Sequence, residues 1–140
     1  MSNVQKHRDA HMAFNARDYD ETAKNMRDDI MWTDHGRNMT MKSKAEFVEW
    51  LKGWPAAFSD AKVDEPVYID GGEYTVCMFK GRGTNDGPFG PMPATNKRLD
   101  ASYCEVLHWG DDGMAERGEL YYDTMTILVG LGHMEPPPAE

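Results

Sequence analysis

The order of sequence patterns along this chain of 140 residues predicts an α+β fold. Apolar residues first recur with the three- and four-residue spacing of helices, and from Lys62 onward they alternate with the period of strands. Short turns separate the strand patterns, which favours antiparallel hairpins. Long, bent antiparallel strands that wrap around a helix leave a cone-shaped cavity. We therefore expect N-terminal helices packed on a curved antiparallel sheet that encloses a pocket.

Two short helices and one strand are predicted first. Asn3 can cap the first helix, and Asp18 with Glu21 forms a capping-box pattern that opens a second helix reaching about Arg27. The apolar run at residues 30–33 then predicts a short strand.

The third helix has the clearest amphipathic pattern. Ser43 and Glu46 form a capping box at its start. Pro55 clashes with the turn that contains Leu51, so we expect the helix to kink or restart there. Apolar residues that would face the core recur at helical spacing: Phe47, Trp50, Leu51, Trp54 and Phe58.

Four strands and a short helix follow in the second half of the chain. The strand patterns cover residues 63–69, 74–79, 99–109 and 114–122, and the helix runs from Thr124 to about Gly130. The strand that ends at Trp109 has no simply polar face, so each face meets protein, ligand or a second subunit. Glu105 interrupts one of its rows, which otherwise consists of Leu99, Ala101, Tyr103, Leu107 and Trp109.

The charge balance excludes nucleic acid and anionic membranes as main partners. The chain has 15 Lys and Arg against 24 Asp and Glu, a net charge of -9, whereas both partners require a basic face. The start of the chain has no apolar segment, so we expect no signal peptide and a cytoplasmic protein. Cys77 and Cys104 form no disulfide framework. The length fits one domain over residues 1–134, followed by a proline-rich tail over 135–140.

Six motifs in a fixed order point to a known family. They lie at residues 15–20, at Trp32-Thr33-Asp34-His35-Gly36, at 47–60, at 90–97, at 111–113 and, most strongly, at 119–132. In this order and spacing the chain resembles the SnoaL-like polyketide cyclases of the NTF2-like superfamily over nearly its whole length. The resemblance implies an NTF2-like cone-shaped α+β barrel. Three positions depart from the family pattern: Asn85 replaces a loop histidine, Asn96 a glycine and Gly130 a glutamine.

Asp123 is the first candidate catalytic residue. It ends the last predicted strand, with Tyr121 on the same strand face. A carboxyl at the bottom of an apolar cavity has a raised pKa, which suits a general acid/base acting beside a carbonyl. Alternatively, Asp123 caps the helix that begins at Thr124. The resemblance implies the catalytic role, because the matching aspartate of the cyclases is the acid/base of an intramolecular aldol closure without metal or cofactor.

Three more polar residues are candidates for the site. His108 lies on the preceding strand, where the cyclases place a histidine near the aspartate, and the alternative is a structural role. Asp34 and His35 follow the first strand, where other NTF2-like enzymes place polar catalytic groups, and the alternative is ordinary turn chemistry. The aromatic residues expected to line a pocket, or else to form core, are Trp32, Trp50, Trp54, Phe89 and Tyr121.

A metal site is considered at His7 and His11, which lie four residues apart on one face of the first predicted helix. No third ligand is evident from the sequence. We therefore predict neither a metal nor a cofactor.

These observations predict a cofactor-independent lyase or isomerase of the cyclase type that acts on a small hydrophobic or aromatic carbonyl compound. An epoxide hydrolase, dehydratase or hydroxylase would need a second carboxylate about one water away from Asp123, which Asp34, Asp100 or Glu119 could supply. A non-catalytic binding module would have a filled cavity or an aspartate that points to solvent. The mixed strand faces and the resemblance predict a homodimer or a larger homo-oligomer.

Overall fold

The computed structural model describes residues 1–139 and confirms the α+β class. None of the helices in that range is long and apolar enough to cross a membrane. The last residue of the predicted tail lies outside the described residues. The helices are α1 (Asn3–Asn15), α2 (Tyr19–Ala23), α3 (Lys44–Ala57) and α4 (Thr124–Gly130). The strands are β1 (Met26–Asp34), β2 (Met39–Met41), β3 (Lys62–Gly71), β4 (Tyr74–Thr84), β5 (Arg98–Trp109) and β6 (Ala115–Tyr122).

The six strands form one curved sheet in the order β2-β1-β6-β5-β4-β3. Strands β3 to β6 form the expected antiparallel hairpins, whereas β1 pairs parallel to β6. The parallel pair arises because β1 enters the sheet beside the last strand of the chain. Strand β2 was not predicted, since three residues are too few to show a period.

The helix ends differ from the sequence predictions in three places. Ser2, not Asn3, caps α1, because its hydroxyl accepts from the Gln5 amide and the Gln5 side chain returns the bond. Helix α2 ends at Ala23, since Lys24 and Asn25 form a turn and β1 begins at Met26. Helix α3 runs through Pro55 without restarting and ends two residues later at Ala57, so the missing Pro55 amide removes only one bond near the end of the helix.

The core lies between α3 and the concave face of the sheet. The α3 stripe faces inward as predicted, and Phe47, Trp50 and Trp54 are each less than 10% exposed. Trp32 of β1 packs edge-on against Phe47, with ring centroids 4.8 Å apart. Aromatic rings in such offset contacts stabilise the core beyond the area they bury.

The loop between β4 and β5 is organised by Asn85, which is fully buried. Its amide nitrogen donates to the carbonyls of Ala57 and Gly87, at 3.2 and 2.9 Å, and its oxygen accepts from the Thr95 amide. Asn96 adopts the left-handed conformation, with φ of 60°, as expected for a residue that replaces glycine. Asn85 therefore holds the loop against the end of α3, and the Asn96 amide donates to the Asn85 carbonyl within the loop.

Replacing Gly118 with Ala should destabilise the protein by about 1–3 kcal/mol. A Cβ at this position would lie 2.3 Å from Cε3 of Trp32, so the buried indole must move. Gly53→Ala in α3 is the control: nothing lies within 4 Å of its Cβ, and we expect a gain of about 0.5–1 kcal/mol. Urea unfolding measures the free energy of unfolding of both variants. Equal stability of Gly118→Ala and Gly53→Ala would contradict the close packing of Trp32 on Gly118.

Candidate active site

An apolar cavity of about 80 Å³ lies inside the cone, between helices α1 and α3 and the concave face of the sheet. A cavity of about 150 Å³ holds benzene, so a ring compound can enter only if wall side chains move. Lys62 and Arg82, whose side chains reach solvent, line its outer end. The inner walls are mainly aromatic and include Trp32, Trp50, Trp54, Phe58, Phe79 and Tyr103.

The polar corner of this cavity is built around Glu105, the residue that interrupts the apolar row of β5. Its Oε1 accepts from Nε2 of His7 at 3.0 Å and from Nε2 of His11 at 2.8 Å. The histidines stand one helical turn apart on the inner face of α1, so both rings reach the same oxygen. His7 is fully buried and His11 is 7% exposed.

Each histidine is also held at its other ring nitrogen. Nδ1 of His7 lies 2.8 Å from the Thr75 hydroxyl, and Nδ1 of His11 lies 2.9 Å from the Tyr68 hydroxyl. The Thr75 hydroxyl in turn accepts from the indole nitrogen of Trp109 at 2.9 Å. These contacts fix both rings, so the carboxylate of Glu105 is bound by preoriented donors.

The cluster controls the charge of its members. Burial by itself would raise the pKa of Glu105, but the charge and hydrogen bond of His11 and then those of His7 hold that pKa well below its ordinary value. Burial lowers the pKa of His7 and outweighs the opposing influence of Glu105. At neutral pH the corner therefore contains a carboxylate anion beside a neutral His7.

The same three residues could hold a metal ion. Nε2 of His7, Nε2 of His11 and a Glu105 oxygen lie within 4.8 Å of one another. Two imidazoles and one carboxylate suit a divalent transition metal. The sequence showed no third ligand because Glu105 is 94 residues beyond His11, and the fold alone brings them together.

Two further polar groups of the cavity wall have no partner. Nε1 of Trp32 and the hydroxyl of Tyr103 are buried, and neither forms a hydrogen bond within residues 1–139. Tyr103 and Glu105 are two positions apart on β5, so their side chains stand on the same face of the sheet. Burial first, then the proximity of Tyr122 and Asp34, raises the pKa of Tyr103, which keeps its phenol protonated.

Asp34 forms a separate buried network behind the cavity wall. Its Oδ2 accepts from Nε of Arg37, Nε1 of Trp50 and the Tyr122 hydroxyl, each at 3.0 Å. Its Oδ1 accepts from the Arg37 amide at 3.1 Å. The Asp34 side chain is fully buried and is not part of the cavity lining, so it anchors the wall instead of facing a substrate.

His35 and Tyr121 lie on the outer face of the sheet, contrary to the expected pocket positions. Their rings stack with centroids 4.3 Å apart, and Tyr121 is 42% exposed. Successive residues of a strand point to opposite faces. Consequently Asp34 turns inward and its neighbour His35 turns away from the cavity.

Asp123 and His108 also lie outside the cavity, so the structure does not bring them together in a pocket. Asp123 is exposed and caps α4, accepting from the Thr126 amide at 3.3 Å and from its hydroxyl at 2.6 Å. Those hydrogen bonds lower its pKa, so the expected rise is wrong. His108 points outward from β5, with Nδ1 2.7 Å from Glu116.

The aromatic candidates divide between the cavity and the packing behind it. Trp32, Trp50 and Trp54 line the cavity. Phe89 does not; it packs on the outer side of Trp54 and Phe58, with ring centroids 5.8 Å away in each case. The loop that carries Phe89 therefore supports the wall from behind.

A cone of helices and curved sheet around one cavity is the ketosteroid isomerase-like, or NTF2-like, fold. A Catenulispora acidiphila protein with this named fold, solved in complex with trimethylamine, matches with a TM-score of 0.77 at 14% identity, over 94% of this chain and 98% of that one. The sequence profile of the SnoaL-like polyketide cyclases matches residues 5–131, so the chain belongs to this family.

Two further solved structures are similar over nearly the whole chain. A proposed SnoaL-like polyketide cyclase from Jannaschia sp. CCS1 gives a TM-score of 0.85 at 16% identity, over 96% of this chain and 93% of that one. AclR from Streptomyces galilaeus, a proposed hydroxylase, gives a TM-score of 0.81 at 20% identity, over 97% of this chain and 84% of that one. Comparison with individual curated proteins by sequence gives no significant match.

His7→Gln should flatten the dependence of stability on pH between pH 7 and pH 5. In the wild type the folded His7 has a lowered pKa, so below about pH 6.5 the unfolded chain binds a proton that the folded chain does not. The neutral, buried His7 therefore stabilises the folded protein above that pH, and this stabilisation is lost as the pH falls. The free energy of unfolding decreases by at most about 1.4 kcal/mol for each pH unit.

Urea unfolding at pH 5, 6 and 7 measures this dependence. The exposed His35→Gln variant is the matched control and should keep the wild-type slope. A wild-type slope in His7→Gln would contradict the assignment of a neutral, buried His7.

Proposed function

We propose that this member of the SnoaL-like family is an enzyme that moves protons on a conjugated carbonyl compound, with Glu105 as the general base. One observation carries the proposal. Both histidine bonds go to Oε1, and Oε2 forms no hydrogen bond to any of residues 1–139 although Glu105 lines the cavity. An anionic oxygen without a partner among these residues is a poor structural element in an apolar pocket, and it is placed to accept a proton from a bound substrate. Because the pKa of Glu105 is lowered, this carboxylate suits a substrate whose C–H bond is made acidic by conjugation.

The chemistry follows from the positions of Glu105 and Tyr103. Oε2 of Glu105 removes a proton from the carbon beside the substrate carbonyl, and the C–H electron pair moves onto the carbonyl oxygen to give an enolate. The Tyr103 hydroxyl, protonated and without a partner, donates a hydrogen bond to that oxygen. In one outcome the enolate carbon attacks a second carbonyl of the same molecule, whose π electron pair moves to oxygen, and the resulting alkoxide takes the proton from Glu105. In the other, the enolate takes that proton back from Glu105 at another of its carbons. The first outcome is aldol closure, and the second is isomerisation.

The cavity determines which compounds fit. Its aromatic walls favour flat apolar molecules, and the carboxylate of Glu105 favours neutral or cationic ones over phosphates. The volume of about 80 Å³ favours small compounds unless the walls move. The Catenulispora protein of similar fold was solved with trimethylamine, a small ligand. We therefore propose a small conjugated ketone or aldehyde as the substrate class.

The placement of the other carboxylates weighs against chemistry that needs two. Within the described chain, Glu105 is the only carboxylate of the cavity lining. Asp34 is saturated by its own partners, Asp100 is 62% exposed and Glu119 points to the outer face. An epoxide hydrolase or dehydratase with two carboxylates around one water is thus less well supported than a single-base reaction.

A catalytic Asp123 stays a prediction that the same assay can test. Its exposed position at the start of α4 fits the alternative role as a helix cap. A purely non-catalytic binding module would retain the ligand but show no dependence of any reaction on Glu105.

Glu105→Gln should slow proton transfer by about 100-fold or more, because the amide has no basic oxygen of comparable strength. The probe is exchange of the α′ and γ protons of 2-cyclohexen-1-one, and of larger enones, in D2O, followed by ¹H NMR. Quenching of the cavity tryptophans measures binding separately and should change little.

Two controls locate the base. Glu119→Gln, a matched change on the outer face, and Asp123→Asn should both exchange at the wild-type rate. A normal rate in Glu105→Gln, or loss of exchange in Asp123→Asn alone, would overturn the assignment of Glu105. No wild-type exchange above buffer with any enone of the series would overturn the proposed reaction.

We further propose that two copies associate through the outer face of the sheet. The row Val67, Met78 and Tyr121 on this face is between 42 and 54% exposed, an unusual apolar stripe for a free surface. Arg117 and Glu119 lie on the same face and offer opposite charges, so the patch can pair with itself across a two-fold axis.

Met78→Glu should convert a dimer into a monomer in sedimentation velocity, because it places a charge in the middle of the apolar row. Met12→Glu is the matched control, since Met12 is 63% exposed on α1, away from the sheet. A monomeric wild type, or a dimer that survives Met78→Glu, would contradict this interface.

A further inference from the structure

Thr75 lies behind the active-site corner and does not line the cavity. It is fully buried on the inner face of β4. Its hydroxyl oxygen has two neighbours at hydrogen-bond distance: Nε1 of Trp109 at 2.9 Å and Nδ1 of His7 at 2.8 Å. No third partner of this oxygen occurs in the described part of the chain.

The chemistry of these three groups determines where the protons are. An indole nitrogen can only donate, so the Thr75 oxygen must accept from Trp109. The hydroxyl then has its own proton to donate, and Nδ1 of His7 is the acceptor within reach. A neutral imidazole that accepts at Nδ1 carries its proton at Nε2. That proton points at Oε1 of Glu105, 3.0 Å away.

We propose that Thr75 is a positioning residue: its hydroxyl donates to Nδ1 and, together with Glu105 at Nε2, holds the ring of His7 as the Nε2-protonated tautomer, a permanent donor to Glu105. The bonds then run in one direction, from Trp109 through Thr75 and His7 to Glu105. The proposal rests on the proposed function only in its effect on the rate. The direction of the bonds is a property of the folded chain and can be measured without a substrate.

This arrangement gives the two histidines different tasks. His7 is not part of the cavity lining and is locked by Thr75, whereas His11 lines the cavity and contacts the hydroxyl of Tyr68, which can donate or accept. His7 therefore holds one oxygen of Glu105 throughout the reaction, and the other oxygen stays free for the substrate.

The other tautomer of His7 would favour a metal site. With its proton at Nδ1, His7 would present a lone pair at Nε2 toward Glu105 and His11, as a metal ligand must. The Thr75 hydroxyl would then receive two donors and have no acceptor for its own proton. Thr75 thereby biases the corner toward proton transfer and away from metal binding.

The test is the tautomer of His7 in ¹⁵N-labelled protein, read at neutral pH from the long-range ¹H–¹⁵N correlations of the ring. The wild type and Thr75→Ser, which keeps the hydroxyl, should both show a protonated Nε2 and a bare Nδ1. Thr75→Val has the same shape without the hydroxyl. Glu105 still accepts from Nε2, so the tautomer should stay, but the Nδ1 resonance should shift because its hydrogen bond is lost, and the Trp109 indole proton should exchange faster.

The exchange rate of the enone probe should fall by about tenfold in Thr75→Val, because His7 loses the hydroxyl that orients its ring. The rate should recover in Thr75→Ser, which keeps a hydroxyl. Probe binding should stay at the wild-type level. A protonated Nδ1 in the wild type, or an Nδ1 resonance that does not move in Thr75→Val, would overturn the proposal. If Thr75→Val does not fold, the protonated nitrogen of His7 in the wild type and in Thr75→Ser still tests the direction of these hydrogen bonds. If His7 shows the expected tautomer but Glu105→Gln exchanges the enone protons at the wild-type rate, the role of Thr75 in positioning His7 stands. The proposed function is then contradicted instead.

Discussion

The burial of one carboxylate inside an apolar cone constrains the rest of this protein. An unpaired anion in such a place costs several kcal/mol, so Glu105 requires donors that the sheet itself does not provide. Helix α1 supplies both, through two histidines spaced by one turn. This requirement fixes the rotation of α1 about its own axis and its position along the sheet, because only one face of the helix can present both Nε2 atoms to the same oxygen.

The opposite wall depends on a second buried carboxylate with a different role. Asp34 ties Trp50 of α3 to Tyr122 of β6, and its partner Arg37 lies over the rings of Trp54 and Phe89. Asp34 accepts four hydrogen bonds from Arg37, Trp50 and Tyr122. The two acids differ in how far the described residues satisfy them: Asp34 holds aromatic walls in place, whereas Glu105 accepts at Oε1 alone and lines the cavity.

Much of the architecture could be predicted because it rests on local patterns. The capping box at Ser43 and the apolar stripe that begins at Phe47 define α3, and the alternation in the second half defines β3 to β6. The parallel pairing of β1 with β6 could not be predicted, since strand neighbours far apart in sequence leave no local signal.

The site was harder to predict for the same reason. Glu105 as a break in an apolar row, and His7 with His11 at helical spacing, were both visible in the sequence, but nothing local indicates that they meet. Asp123 was favoured by resemblance, and its local chemistry, an aspartate just before Thr124 and Thr126, is that of a helix cap.

The distance along the chain between α1 and Glu105 has a consequence for biogenesis. The contacts of Glu105 with His7 and His11 span 98 and 94 residues, so they close one of the longest loops in the molecule. A helix of 13 residues is marginal by itself in water. During synthesis these two contacts can form only after β5 has left the ribosome, whereas the contacts of α1 with α2 and β3 can form earlier. The polar corner is therefore completed late, and trimming of the N-terminus would remove both donors of Glu105 together with the part of the cavity wall that α1 forms.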